Sequence, residues 1–218
     1  MVYVSLSLWA LIEYHFTHKA IWVYLIGAFS GFAILCKWLV GLLVYFGWFI
    51  VNLHQKKYRI SEYRAIIIAL AITFIIVIPW QILTFTWYPT EARQAYALNA
   101  AHFWVAVDGQ RGSFWYHFEK FDVIYGALAS FLILPAFYVL YHSTKNKALV
   151  TSFFWMVIAV YLFFSFAATK MSSFPIVAAM LIFIAFGALL DSAWQYISRW
   201  TRNAAISSVL CVALVIGV

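Results

Sequence analysis

The chain is expected to fold as an all-α, polytopic bundle of transmembrane helices, and three features of the sequence require it. Of its 218 residues, 67% are hydrophobic and only 10% are charged. A water-soluble domain carries about a quarter charged residues, so this chain lacks the polar surface to face water on all sides. Its apolar residues form continuous runs of about 15–20, the length at which a helix crosses a bilayer. The runs lack the period-two alternation of a transmembrane barrel, and lipid admits no third solution.

Seven runs can be marked, at 1–14, 20–36, 38–53, 65–84, 123–141, 149–169 and 172–190, with an eighth at 204–218. The second and third are separated only by Lys37, the sixth and seventh only by Lys170 and its neighbours. Each pair is too long for one crossing at about 1.5 Å per residue, so each lysine marks a tight turn between two helices. Met1 opens directly into an apolar run without a charged leader, and Val218 stops inside one. Residues 1–218 therefore read as a partial transmembrane domain, with about seven complete helices and a truncated one.

Alternating crossings put 15–19, 54–64, 142–148 and 191–203 on one side. That side holds nine of the 14 basic residues against three acidic ones. The other side holds Lys37, Arg93, Arg111, Lys120 and Lys170 against four acidic residues. The positive-inside rule makes the first side cytoplasmic. The net charge of +7 thus sits at the ends of apolar runs rather than along one soluble face, which argues against a nucleic-acid partner. Cys36 and Cys211 lie inside apolar runs and read as small buried hydrophobes rather than a disulfide or metal pair.

One long loop, 85–122, falls on the extracytoplasmic side. Its tryptophans and tyrosines suit the lipid headgroup layer, and 91–106 fits a short helix lying in that interface. Inside the runs, Gly27 and Gly31 form a GxxxG pair suited to close helix packing. Pro79 and Pro135 kink or end helices near the surface.

Lys37 and Lys170 are the sharpest candidates for chemistry. Each is a cation beside long apolar helices on the side of the long loop, and ionisable groups there are costly and often functional. Either they meet an anionic headgroup such as a lipid phosphate, or they snorkel to the interface. Arg111, in the turn Asp108–Tyr116, is built to clamp a phosphate bidentately; the alternative is an ordinary solvated turn with an aromatic anchor. His102 and His117 are 15 residues apart with no cysteine nearby, so they signal a metal site only weakly, and none is assigned. Each is either a proton carrier or a polar interface residue. Asp108, Glu119 and Asp122 are outside carboxylates, and none has a spacing that singles it out as a base.

Four segments resemble a known family. Gly27–Gly41, GAFSGFAILCKWLVG, is similar to the "GLAxLTK" segment of bacterial glycosyltransferase family 39 and its protein-mannosyltransferase-like relatives, of the GT-C class. Ile78-Pro79-Trp80-Gln81 resembles their "PW" segment at the end of a helix. Ala101-His102 followed by Gly109–Tyr116 resembles their outer loop, and Phe164–Phe174, FSFAATKMSSF, resembles "FSLAxTKLPHY". The order and spacing agree over 20–190. The resemblance implies a GT-C-like bundle in a bacterial inner membrane. It implies transfer of a sugar from a polyprenyl-phosphate carrier to a lipid, glycan or protein at the extracytoplasmic face, without a further cofactor. Lys37, Lys170 and Arg111 would then lie near the donor phosphate, and His102, Trp115, Tyr116 and Trp80 would line the cavity.

The departures concern chemistry. Ser173 and Phe174 stand for the family's histidine and tyrosine, and Trp38 for the proline after its "LTK" lysine. The acidic catalytic motifs of the family would lie upstream of Met1, so the catalytic base is unassigned and residues 1–218 alone should not turn over. Two rival readings are a transporter or flippase and a non-catalytic membrane subunit. Transporters carry ionisable groups or broken helices near the midplane, whereas here no charge falls in mid-helix.

Overall fold

The computed structural model describes residues 1–57 and 60–201. Arg59, Arg202, Cys211 and the run at 204–218 lie outside the described residues. Helix α1 (Val2–Thr17) ends at His18, which turns the chain through a left-handed conformation into α2 (Ala20–Lys37). The two helices pack as an antiparallel pair, burying Leu8, Leu11, Val23 and Ile26.

Helix α2 then lies against α4 (Arg64–Trp87). The GxxxG pair is what lets it approach: a β-carbon on Gly27 would sit 2.6 Å from the Ala69 carbonyl, and one on Gly31 3.0 Å from Ile76. At the same contact, Thr73 donates its hydroxyl hydrogen to the Gly27 carbonyl at 2.8 Å, while its oxygen lies 2.6 Å from the Tyr45 hydroxyl. These are polar links of the kind that hold helices together where no water competes.

The apolar stretch Ala20–His54 is long enough for one helix, but the chain doubles back inside it. After Lys37 comes a 3-10 turn, Trp38–Leu42, and then α3 (Leu43–His54). Ser30 donates to the Gly41 carbonyl, and Gln55 at the far end of α3 reaches His15 at the end of α1. Twelve α-helical residues at about 1.5 Å and five 3-10 residues at about 2.0 Å make a return leg of about 28 Å, close to the hydrocarbon thickness of a bilayer. The turn expected at Lys37 is therefore present.

Helix α3 packs on α9 (Lys147–Phe166) through Gly47, whose carbonyl accepts the Ser152 hydroxyl at 2.8 Å. The Asn146 side chain caps α9 by accepting from the Leu149 amide. Helix α8 (Ala127–Ser143) pairs with α10 (Ala179–Thr201). Between α4 and α8 run α5 (Pro89–Trp104) and two short helices, α6 (Tyr116–Glu119) and α7 (Phe121–Tyr125). A further 3-10 turn, Phe174–Ala178, leads into α10.

Four stretches among the described residues are long and apolar enough to cross a membrane. This is an integral membrane protein, and its described residues form an all-α bundle. Three local expectations change. The loop expected at 191–203 is helical as far as Thr201, continued by the Gln195–Asp191 hydrogen bond one turn apart. Helices α4 and α8 run about two turns beyond Pro79 and Pro135, so neither proline ends its helix. The "PW" pair consequently lies within a helix rather than at its end. A helix is present where one was expected at 91–106, as α5, with Ala92 its only buried residue among the described ones.

Candidate functional site

Lys37 is the last residue of α2, where a cation suits the negative end of the helix dipole. The next residue, Trp38, has φ 42° and ψ −130°. A bulky side chain at positive φ costs about 1–3 kcal/mol, so the turn carries local strain. Lys37 and Trp38 stand at one end of a cavity of about 600 Å³ whose walls come from the 38–43 turn, the end of α5, the second half of α9 and Phe174. The walls are almost wholly apolar; Lys37, Asn99 and His102 are the polar residues among them. Lys37 is exposed and makes no hydrogen bond or ion pair among the described residues.

The floor is made where two loops are stitched together. Ala168 and Thr169 donate their amides to the carbonyls of Phe103 and His102, each at 3.0 Å, and the Lys170 amide donates to Gln110 at 3.0 Å. The Thr169 hydroxyl is the hub: it accepts the Val107 amide at 3.0 Å, donates to the Val105 carbonyl at 3.1 Å, and lies 3.1 Å from His102 Nδ1. A threonine has one hydroxyl hydrogen. With that hydrogen on Val105, His102 Nδ1 carries its own hydrogen and donates to Thr169. The tautomer assigned from this network leaves Nε2 as an acceptor on a cavity-lining residue.

Lys170 is placed differently from Lys37. It is 5% exposed, and its ammonium donates to the carbonyls of Phe164 at 3.3 Å and Ser165 at 2.6 Å. It therefore closes the end of α9, whose last carbonyls have no intrahelical partner. It is not among the cavity-lining residues. Gly112 leaves room for its stem: a β-carbon there would come within 3.0 Å of Lys170 Cγ. Burial pushes the Lys170 ammonium below its usual range.

His117 lies beside it, fully buried, with its ring against Phe164. Burial first, and then the Lys170 charge, hold its imidazole below the ordinary value of 6.5. The sign follows directly. As pH falls below about 6.5, unfolded chains take up a proton that the folded chain refuses, so folding loses stability. Thermal unfolding measured from about pH 7.5 to about pH 5 is expected to show a falling melting temperature. In His117→Leu that fall should be smaller; an unchanged slope would remove His117 from the account.

The other residues singled out from sequence lie apart from the cavity lining. Arg111 is exposed on the same side. Trp115 is exposed and packs edge-on against Phe114 and Phe118. Tyr116 covers Gly112 and faces the Lys120 ammonium at 5.9 Å. Trp80 is exposed on α4. Of the outer carboxylates, Glu119 accepts from the Ser113 hydroxyl and Asp122 from the Val123 amide. Among the described residues no carboxylate lines the cavity, and no group of three or more metal-ligating side chains forms.

Two residues of the site had no sequence signal of their own. Thr169 lies inside the quoted FSFAATK run as an unremarked neighbour of Lys170, and Asn99 lies in α5 among alanines. The four resembling segments nevertheless meet at this end. Lys37, His102 and Phe174 share the cavity, while Gln81 accepts the hydroxyl of Tyr96, whose ring meets Trp38.

Bundle and cavity define a class: an all-α helical membrane protein with an apolar chamber whose lining holds, among the described residues, one cationic side chain, Lys37. A solved structure of similar fold is that of ArnT from Cupriavidus metallidurans bound to undecaprenyl phosphate. The TM-score is 0.58 and the identity 23%, over 78% of this chain and 31% of that chain. The chain thus spans about a third of the length of the structure it matches, and the likeness carries the fold. No family model and no curated protein matches the chain.

Proposed function

We propose that residues 1–218 are the donor-lipid-binding part of the transmembrane domain of a glycosyltransferase, with 85–122 on its extracytoplasmic side. It would move a sugar from a polyprenyl-phosphate carrier in a bacterial inner membrane. The observation that carries this reading is the cavity itself. Its walls suit a hydrocarbon chain, and the free ammonium of Lys37 at its end suits the phosphate to which such a chain is attached. Support also comes from the convergence of the four family-39-like segments at that end. The similar structure of ArnT, bound to undecaprenyl phosphate, supports the same ligand chemistry.

In the reaction, an acceptor hydroxyl or amine attacks the anomeric carbon of the donor. The bond from that carbon to the phosphate oxygen breaks, and its electron pair leaves on the phosphate. Lys37 stabilises the charge that develops there. The attacking group gives its proton to a base, and a carboxylate outside the described cavity fits that role. Lys170 and Thr169 would act as positioning groups, holding the end of α9 and the 102–110 segment that carries His102.

The test is a titration of the purified protein in detergent with farnesyl phosphate, farnesol and inorganic phosphate. Farnesyl phosphate should bind at least about tenfold more tightly than either half alone, because one charge-assisted contact is worth that factor. Equal affinity for farnesyl phosphate and farnesol would remove the phosphate role of the site.

A further inference from the structure

Trp38 is an anomaly that the fold alone does not explain. His18, Lys56 and Asp108 also have positive φ, and His18 and Asp108, with ψ 19° and 28°, sit in the left-handed helical region that polar side chains visit as single residues. Trp38, at φ 42° and ψ −130°, has the geometry of the first central residue of a type II′ turn, a position that favours glycine. The bulkiest side chain therefore stands where the smallest is preferred. Strain of this kind persists where function holds it.

Packing does not use the ring fully. The indole meets the Tyr96 ring edge-on at 6.4 Å, and Tyr96 is in turn held by Gln81 and by Phe85 at 5.2 Å. Even so, Trp38 remains 44% exposed, and it lines the cavity directly beside Lys37. A braced, half-open aromatic face thus lies at the point where a chain would leave a phosphate held by Lys37.

We propose that Trp38 selects the hydrocarbon of the lipid: its indole packs on the branched, unsaturated units next to the phosphate and so favours an isoprenyl chain over a straight alkyl chain. The inference rests on the donor-binding reading above. Isoprenyl units present methyl groups and trigonal carbons that lie flat on a ring face; a saturated straight chain presents neither. Aromatic contacts of this sort change affinity by about tenfold.

The experiment titrates the purified protein with farnesyl phosphate and with dodecyl phosphate, which share the headgroup and differ in the chain. Wild type should prefer farnesyl phosphate by about tenfold. Trp38→Ala and Trp38→Gly should lose that preference, and Trp38→Phe should keep most of it. Thermal melting of each variant reports the backbone separately. Neither Ala nor Gly has the ring, but only glycine accepts the turn geometry, so Trp38→Gly should melt about 2–4 °C above Trp38→Ala. Retention of the wild-type preference in both ring-deleted variants overturns the proposal. Wild type binding both phosphates equally also overturns it while leaving the donor reading intact. Wild type binding neither phosphate overturns the donor reading, and this inference with it.

Discussion

Lys37→Ala is expected to weaken binding of farnesyl phosphate by about 10–100-fold and to leave farnesol binding unchanged. The range follows from the worth of a hydrogen bond to a charged group, about 1.5–3 kcal/mol, converted at about 1.4 kcal/mol per factor of ten. Two features place Lys37 at the upper end. Its cavity is nearly free of other polar groups, so little competes for the phosphate. The ammonium also has no partner to give up among the described residues, so none of the interaction is spent on breaking an existing bond. Lys37→Glu should be worse than alanine, because it sets two like charges together. Lys37→Arg should keep most of the affinity. Thermal stability should hardly move in any of them, since an exposed, unpaired side chain contributes within about 0.5 kcal/mol. Calorimetric titration checks the affinities, and wild-type affinity in Lys37→Ala would overturn the assignment.

Lys170→Met should do the reverse. It removes a buried ammonium that serves the carbonyls of Phe164 and Ser165 and leaves both without that donor in an apolar setting. Such losses cost about 2–4 kcal/mol, which corresponds to a melting temperature lower by about 5–10 °C. The damage should spread to the 102–110 segment, because Lys170 and its neighbours are hydrogen-bonded to Gln110, Phe103 and His102. Donor binding should therefore fall less in Lys170→Met than in Lys37→Ala when both are measured well below their melting temperatures. A variant as stable as wild type, with donor affinity lost, would show that Lys170 meets the phosphate after all.

The two lysines also show where reading a sequence stops. Lys37 and Lys170 are indistinguishable as text. Each is one cation between two long apolar runs, on the same side by loop counting, in a segment with a family-like neighbour. Their difference lies in what the ammonium meets: carbonyls five and six residues back for Lys170, and the cavity for Lys37. Lys170 meets the last carbonyls of α9 because the chain reverses tightly after Phe166 and Gly112 makes room from another loop. Lys37 meets open cavity because the strained turn at Trp38 carries the chain away from it. Arg111, Trp115 and Trp80 illustrate the same point: residue type marked them as useful, and only their placement keeps them off the cavity wall.

What the residues alone determined is the class of fold and the helical runs, with a sidedness expected from the loop charges. These follow from local and additive properties, namely hydrophobicity summed over about 20 residues and charge counted loop by loop. The GxxxG contact was legible as well, because it needs only a spacing. What the tertiary structure decided is the cavity, the hub at Thr169, the different surroundings of the two lysines and the exposure of Trp38. The hub joins segments more than 60 residues apart in sequence within hydrogen-bonding range, and no local pattern encodes the direction in which a side chain then points.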